Sequence, residues 1–599
     1  MKVNKKKIGE TKLSNQSLAG SINQNSKKEV KILKSKNRII TNPLQYTKVN
    51  AFPFYGNVEY FLGGENVNKK EKKCIIDKTM NEEFCSSLNS NKLNYTIKQY
   101  IEDIDKYGLT DVWIGIISLF EDENDAYGVL TINNFGELYE IGLAHTNKIS
   151  KKEYGKYFTP NDISKVMSEW FADLKGESIC DVCCGTGNLI ISFLSTLKPS
   201  KAKKLISSGK IYIYDQDELA LYICQSTIGI IYGKENASKI NCICGDFLDQ
   251  KIKLPSNCKV ISNPPYFKIK ENKKSWEITD VIIDTKEFYS SIMEKIIKKS
   301  QASVIITPYS FIGGSKFYSL RKIMNDYNGF IVSFDNIPGA IFSGRKHGIF
   351  NSNSTNSVRA AITVVENKKT KKGFRCSPLI RFKNEERSLL LQKEKLESFI
   401  GNRHQIVNDK NKRYAKCFPE MESILDSWNK NSNKKLSDLT NPDGLYKICV
   451  PNTCRYHSVG TKKDLDRVGK ITLSFDNKEY FHYAYCLTNS SFCYWHWRLF
   501  DGGITYQSSL LNEIPVFFDK ISDEDKEILS KIAIDMQEHE DNYLVYKKNA
   551  GKLQENVKFP KKYKNIINEI FLKTLGISKM SYDFDIIHSN TAFKKEVFE

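Results

Sequence analysis

The tetrapeptide Asn263-Pro264-Pro265-Tyr266 combines groups that could activate an aromatic amino group. Such an amino group is a weak nucleophile because its lone pair is delocalised into the ring. The Asn263 side-chain oxygen and the Pro264 carbonyl could accept hydrogen bonds from its two N–H groups and so localise that lone pair. Prolines make the turn rigid, and Tyr266 could stack on the ring. We predict that these four residues are catalytic, the alternative being a proline-rich turn after a strand.

A second segment, from Asp181 to Asn188, has the pattern of a strand that turns into a helix through glycine. Gly185 and Gly187 would let the backbone approach a ligand closely. Asp181, at the end of the predicted strand, could bind the ammonium group of an amino acid. Because a lone Gly-x-Gly pair is common, this segment gains weight only together with the tetrapeptide.

The segment Tyr157-Phe158-Thr159-Pro160 precedes a helical pattern of apolar residues spaced by three and four. Thr159 is predicted to be the N-cap, Pro160 the first helical residue, and Asp162 the second member of a capping box. The free amide groups of such a helix start can bind a carboxylate. An ordinary capped helix is the alternative.

Two further carboxylates follow predicted strands. Asp215 ends the run Ile211–Tyr214, where a ribose could be bound, and Asp217 is predicted to cap the next helix. Asp246 could accept a hydrogen bond from the amino group of an adenine, and Phe247 could pack on that ring. For Asp246 and Phe247, a plain strand-to-loop turn is the alternative.

These residues fall within 151–370, where short β-branched runs alternate with helical stretches. This alternation predicts a mostly parallel α/β sheet that binds ligands at the carboxyl ends of its strands. Near its end, Gly329–Phe334 and Val358–Val365 are predicted to form an antiparallel pair. We predict a flexible basic tail over 1–40, a mainly helical region over 41–150, a charged helical connector over 371–435 and a C-terminal domain over 436–599.

Composition limits the class of protein. The chain has 599 residues and a net charge of +20, which suggests a polyanionic partner, although a general bias towards lysine is an alternative. The fifteen cysteines, without a secretory signal before them, indicate reduced thiols in the cytoplasm. No uncharged apolar run reaches the roughly 18 residues that span a membrane.

A zinc site is the alternative reading of five cysteines near the glycine segment, because a Cys-x2-Cys spacing occurs among Cys180, Cys183, Cys184, Cys242 and Cys244. No matching second cysteine pair or histidine pair follows them. We therefore predict no metal.

Together, the order of these motifs resembles the gamma-class N6-adenine DNA methyltransferases of bacterial restriction–modification systems. The resemblance covers about residues 137–370 and, more loosely, 436–520. It implies a Rossmann-like, seven-stranded fold that uses S-adenosyl-L-methionine, followed by an α+β target recognition domain. Cys183 replaces the first glycine of the wider Gly-x-Gly-x-Gly loop. The implied cofactor-binding residues are Tyr157, Thr159, Pro160, Asp181, Cys183, Gly185, Gly187, Asn188, Asp215, Asp246 and Phe247.

The resemblance also implies how substrate would be bound. In that family Asn-Pro-Pro-Tyr accompanies methylation of adenine N6, and a second aromatic residue holds the flipped base. We select Phe342 for this role, with Phe350 as its competitor. In the C-terminal domain, Arg498 is the candidate DNA contact, whereas Trp495 and Trp497 are predicted to be core residues.

The predicted function is site-specific methylation of adenine in double-stranded DNA, with a separate restriction endonuclease as a candidate partner. One alternative is an amino-methyltransferase acting on rRNA or on protein glutamine, since Asn-Pro-Pro-Tyr also serves those enzymes. The other is a DNA-binding module of a defence complex. The first 150 residues contain no paired-carboxylate-and-lysine pattern typical of a nuclease, so we predict no cleavage.

Overall fold

The computed structural model describes residues 159–342, 358–366, 372–407, 413–454, 456–467, 469–549, 552–577 and 584–593. The predicted basic tail, the helical region over 41–150, Tyr157 and Phe350 lie outside these residues. No helix in the described ranges is long and apolar enough to cross a membrane.

The centre of the fold is an eight-stranded sheet in the order β3-β2-β1-β4-β5-β7-β6-β8. Among the described strands of this sheet, β7 alone runs antiparallel to its neighbours, and it pairs with both β5 and β6. This confirms the α/β class and the antiparallel pair near the end of the sheet. The strands are β1 (Ser178–Val182), β2 (Ile211–Asp215), β3 (Asn241–Cys244), β4 (Cys258–Ser262), β5 (Ala302–Pro308), β6 (Asn328–Phe334), β7 (Ala360–Glu366) and β8 (Gly373–Ile380).

The strand count corrects the sequence prediction of seven strands. β8 pairs in parallel with β6 and begins the segment 371–435 that was predicted to be a helical connector. That prediction is wrong for Gly373–Ile380. Lysines beside the strand gave this part of the sequence a charged composition. Seven of the eight strand residues are nevertheless buried, and Arg375 is partly exposed. The division into domains stays a prediction.

Helices cover both faces of the sheet because successive strand residues point to opposite sides. Ile261 and Val304 pack with the first five helices of this part of the chain, whereas Val260 and Ile305 pack with the next three. The apolar face predicted for the first helix is confirmed, since its residues are almost fully buried. The helices are α1 (Asn161–Asp173), α2 (Asn188–Ser195), α3 (Pro199–Ser207), α4 (Glu218–Tyr232), α5 (Lys234–Ala237), α6 (Asp280–Thr285), α7 (Phe288–Lys299) and α8 (Tyr318–Met324).

The described residues after β8 form a mainly helical region with three two-stranded sheets, so this part is α+β as predicted. The helices are α9 (Arg387–Leu390), α10 (Lys393–Glu397), α11 (Glu422–Asn431), α12 (Lys478–Thr488), α13 (Ser491–Phe500), α14 (Ser508–Asn512), α15 (Asp523–Glu538), α16 (Lys561–Thr574) and α17 (Asp585–His588). The strand pairs are β9 (Lys434–Lys435) with β12 (Pro515–Val516), β10 (Tyr446–Pro451) with β11 (Lys470–Phe475), and β13 (Leu544–Asn549) with β14 (Lys552–Val557).

Candidate active site

The loop between β1 and α2 turns sharply because three of its residues have left-handed backbone conformations. The φ angles are 59° at Cys183, 51° at Gly185 and 92° at Gly187. Glycine adopts such angles without the steric cost that a side chain brings. Cys183 therefore bears this cost at the position where the wider loop pattern has glycine. The turn directs the backbone of the loop to the carboxyl edge of the sheet.

Gly187 also packs closely against α4. A Cβ atom on Gly187 would lie 2.2 Å from the Cys224 Sγ. We expect Gly187→Ala to lower the free energy of unfolding by about 2–5 kcal/mol, from overpacking and from the left-handed backbone together. Urea denaturation measures this loss.

The matched control is Gly209→Ala, because Gly209 is also left-handed but its added Cβ would meet nothing closer than 3.9 Å. We expect this variant to show the backbone cost alone, about 1–2 kcal/mol. Equal losses in the two variants would contradict the steric argument for Gly187.

Asp181 is a fully buried carboxyl group at the end of β1. Its Oδ2 accepts the Ile190 backbone N–H at 3.0 Å, whereas its buried Oδ1 has no hydrogen-bond partner in the described structure. Burial raises the pKa of this carboxyl group well above its ordinary value. An incoming ammonium group would satisfy Oδ1 and would lower the pKa again. Asp181 therefore fits the predicted contact with an amino acid.

Asp215 joins the end of β2 to the glycine loop. Its Oδ2 accepts the Gly185 backbone N–H at 2.8 Å, and its Oδ1 accepts the Asp217 N–H at 3.0 Å. Asp217 itself caps α4 by accepting the Ala220 N–H at 3.2 Å, which confirms its predicted role. The structure thus brings Asp215 against the loop, as the predicted ribose contact requires.

Asp246 lies after β3 and is held by two side chains that the sequence did not indicate. Its Oδ2 accepts from Lys273 Nζ at 2.7 Å and from Trp276 Nε1 at 3.1 Å. The neighbouring Phe247 is buried, with its ring edge-on to Tyr214 at 5.5 Å and Lys295 Nζ 4.7 Å from its centroid. This core position does not support the predicted packing of the Phe247 ring on an adenine.

The start of α1 differs from the predicted capping box. Pro160 is the N-cap and makes no side-chain cap hydrogen bond, whereas Asp162 Oδ1 accepts the neighbouring Ile163 backbone N–H at 2.9 Å. Thr159 precedes the cap, and its hydroxyl accepts a hydrogen bond from Asn263 Nδ2 at 2.9 Å. Asp162 forms an ion pair with Arg387 instead of closing a box. The capping prediction is wrong because both side chains find partners far along the chain.

The Thr159 main chain is also engaged. Its carbonyl accepts a hydrogen bond from the buried Asn188 side chain at the start of α2. Thr159 therefore links the helix start to the glycine loop and to the tetrapeptide. The structure brings three predicted motifs together at this residue.

The tetrapeptide turns away from β4 at the carboxyl edge of the sheet. Asn263 Nδ2 donates to Thr159, and Asn263 Oδ1 accepts the Tyr266 hydroxyl at 2.7 Å. The Tyr266 oxygen also lies 3.2 Å from the Ile306 carbonyl oxygen on β5. The Asn263 amide is therefore fixed at both ends, with its nitrogen towards α1 and its oxygen towards Tyr266.

Phe342 lies against this corner. Its ring centroid is 6.0 Å from that of Tyr266, and the two rings meet edge to face. Tyr289 contacts Tyr266 in a similar way at 6.1 Å. The structure therefore places Phe342 beside the tetrapeptide, whereas its competitor Phe350 is outside the described residues.

Within the described ranges, no group of three histidine, cysteine or acidic side chains could hold a metal.

A family model described as N-6 DNA Methylase matches residues 130–433, slightly more than half of the chain. The chain belongs to this family.

Individual relatives agree with the family. The chain is 26% identical over 243 residues to the type II methyltransferase M.VspI of Vibrio sp., covering 39% of this chain and 54% of that protein. It is 29% identical over 143 residues to the type I restriction enzyme MjaIX methylase subunit of Methanocaldococcus jannaschii, covering 24% of each protein. The matches therefore span less than two thirds of either relative.

A solved structure is also similar to this chain. It is the methyltransferase subunit of a type I restriction-modification system from Streptococcus thermophilus, with 13% sequence identity and a TM-score of 0.31. The match covers 60% of this chain and 87% of that one.

Beyond the matched N-6 DNA Methylase region, the structure corrects the role of Arg498. This residue of α13 is buried, and its Nη1 donates to Asp335 Oδ2 at 2.6 Å while its Nη2 donates to the Leu379 carbonyl at 2.6 Å. The prediction that Arg498 contacts DNA is wrong, because its guanidinium is committed inside the protein. Trp495 and Trp497 are core residues, as predicted.

Several residues around the N-6 DNA Methylase motifs were missed by sequence reasoning. Lys273 and Trp276 hold Asp246, and Lys295 Nζ donates to three carbonyls of the loop after it. Arg387 holds the start of α1 through Asp162. These partners are 27 to 225 residues from the groups they hold, and no local pattern in the sequence indicates them.

Proposed function

We propose that this chain transfers a methyl group from S-adenosyl-L-methionine to N6 of a flipped adenine in duplex DNA. The observation that carries the proposal is the Asn263 amide at the carboxyl end of β4. Tyr266 holds its oxygen, and Thr159 joins its nitrogen to the start of α2 after the glycine loop. Membership of the N-6 DNA Methylase family supports the same reaction.

The residues at this edge fit the proposed cofactor. Asp181 offers a buried acceptor without a partner in the described structure, which suits an ammonium group. The carboxylate of Asp215 could accept from ribose hydroxyls, and that of Asp246 could accept from an amino group. When bound, S-adenosyl-L-methionine would supply an electrophilic methyl group next to the tetrapeptide.

The tetrapeptide would prepare the amino group for transfer. Asn263 Oδ1 and the Pro264 carbonyl would accept hydrogen bonds from the two N–H groups. The nitrogen lone pair would then be available in the direction of the methyl group. Tyr266 must first give up its hydrogen bond to Asn263, after which its ring can stack on the base. In the net reaction the amino nitrogen would gain the methyl group and lose one proton to solvent, and the cofactor, its bond from sulfur to methyl broken, would leave as S-adenosyl-L-homocysteine.

The proposed reaction and the names of the relatives together indicate the partners. Duplex DNA is the substrate, and the net charge of +20 favours a polyanion. Because relatives are named as a type I restriction enzyme subunit and a type II methyltransferase, a separate restriction endonuclease is the proposed partner in the cell.

A product analysis tests the proposal. The full chain is incubated with S-adenosyl-L-methionine and genomic DNA from cells that lack adenine methylation, and the digested nucleosides are examined by mass spectrometry. N6-methyldeoxyadenosine is the expected product, and long-read sequencing of DNA from cells with and without the chain should locate it at one sequence. Methylation of RNA, protein or cytosine, or DNA binding without methylation, would each refute the proposal.

The contact between Phe342 and Tyr266 leads to a second expected result. We expect Phe342→Ala to lower kcat/KM for DNA by about 10- to 100-fold, because one aromatic face beside the flipped base is removed. The matched variant is Phe350→Ala, and steady-state methylation of DNA compares the two. A loss confined to Phe350→Ala would show that Phe350, not Phe342, holds the base.

A further inference from the structure

A small cavity lies between β8, α13 and the segment 586–592, and it is here termed the cationic cavity. Three of its lining side chains are positively charged and more than nine-tenths buried. They are Arg381 directly after β8, Lys416 before α11, and Arg498 of α13. The described residues that line the cavity include no carboxylate, and most of the others are apolar. The cavity is therefore surrounded by positive charge in a place that water solvates poorly.

One carboxylate is shared by three guanidinium groups beside this cavity. Asp335 accepts from Arg381 at 2.9 Å, from Arg498 at 2.6 Å and also from Arg359 at 2.8 Å. A single negative charge cannot balance three positive ones. Buried charges are costly unless opposite charges compensate them. The Asp335 cluster therefore brings an excess of positive charge to the wall of the cavity.

Lys416 adds to this excess. Its Nζ donates to the Leu499 carbonyl at 2.8 Å, an acceptor without a full negative charge. Burial lowers the pKa of the Lys416 ammonium group to about 7, although the carboxylate of Asp501 acts in the opposite direction. An anion in the cavity would stabilise the protonated form of Lys416 and so oppose the effect of burial.

Size limits what can occupy the cationic cavity. Its volume is about 20 Å³, whereas one water molecule needs roughly 10–15 Å³ of such space. A chloride ion is only slightly larger than a water molecule and fits, but a phosphate group or a nucleotide does not. Water would satisfy hydrogen bonds in the cavity without compensating the positive charge.

We propose that the cationic cavity binds a monovalent inorganic anion, chloride or another halide, between Arg381, Lys416 and Arg498. The hydroxyl groups of Ser589 and Thr591, which also line the cavity, can donate hydrogen bonds to the same ion. The ion would join parts of the chain that are far apart in sequence and so stabilise the packing of the C-terminal segment on β8. This site does not depend on the proposed methyl transfer.

Thermal melting of the full chain tests the proposal at constant ionic strength, with chloride replaced by gluconate, an anion too large for the cavity. A ligand that binds the folded state raises Tm as its concentration rises. Raising chloride from about 5 mM to about 200 mM should increase Tm by about 2–4 °C.

Two lysine variants separate the cavity from general effects of salt. Lys416→Met removes the charge but keeps the length of the side chain, and the shift in Tm should fall below about 1 °C. The matched control is Lys259→Met. Lys259 is also buried, its Nζ donates to the Phe171 and Leu174 carbonyls, and it does not line the cavity. This control should melt at a lower temperature than the wild type but keep the full shift. Equal shifts in both variants would overturn the proposal.

Bromide gives a direct readout on the wild-type protein, even if Lys416→Met does not fold. Crystals soaked in bromide should show an anomalous scattering peak in the cavity, within hydrogen-bond distance of Lys416 Nζ. A cavity without such a peak would refute the site. A peak without any dependence of Tm on chloride would mean an adventitious ion only, which would also refute it. Neither result depends on whether the chain methylates adenine.

Discussion

Asn263→Ala should lower kcat for DNA methylation by about 100- to 1,000-fold, since it removes one of the two oxygen acceptors that prepare the amino group. The fold should survive, because the Tyr266 oxygen still lies 3.2 Å from the Ile306 carbonyl. Single-turnover kinetics with saturating DNA and cofactor measure this loss at the chemical step.

Two controls define the result for Asn263. Calorimetry should give the same cofactor affinity for Asn263→Ala as for the wild type, since Asp181 and Asp215 are untouched. Asn263→Asp, which keeps an acceptor oxygen, should retain more activity than Asn263→Ala. Methylation by the alanine variant at the wild-type rate would refute the proposed mechanism.

Asp335→Ala is expected to have the largest effect on stability, a loss of about 3–5 kcal/mol in the free energy of unfolding. Asp335 is buried and accepts from three guanidinium groups, at 2.8 Å from Arg359, 2.9 Å from Arg381 and 2.6 Å from Arg498. Without it, three cations would lie close together without their shared carboxylate. Urea denaturation at neutral pH measures the loss.

The same residue gives a pH dependence whose sign can be worked out. Burial alone would raise the pKa of Asp335, but the guanidinium groups of Arg498, Arg359 and Arg381 lower it from 3.8 to about 2. Its contribution to stability is therefore complete above pH 3.8 and is lost as the pH falls towards 2. In Asp335→Asn this part of the acid dependence should disappear. An unchanged acid profile in that variant would contradict the assignment.

Local patterns in the sequence were enough wherever partners are close along the chain. The apolar spacing of α1 predicted its buried face, and Asp217 was correctly assigned as a cap because its partner is three residues away. The turn from β1 into α2 was predicted for the same reason, since glycine marks the left-handed positions.

Long-range partners explain what the sequence could not show. Thr159 was assigned to a cap, but its hydroxyl accepts from Asn263, 104 residues away. Arg498 looked like a DNA contact because it stands among aromatic residues and glycine, yet its carboxylate partner is 163 residues earlier. β8 was missed because it contains an arginine and lies between charged segments. Its pairing with β6 leaves no sign in the local sequence. None of these pairings leaves a periodic signal.

The hydrogen bond from Tyr266 to Asn263 has a consequence for substrate discrimination. An arriving base must displace a donor that the amide oxygen already has. Adenine and cytosine bring an amino group that can replace this donor. Thymine has no amino group and would leave the amide oxygen without a hydrogen bond, at a cost of about 1–3 kcal/mol. Thymine would thus be disfavoured by about 5- to 150-fold at the docking step, ahead of any chemistry.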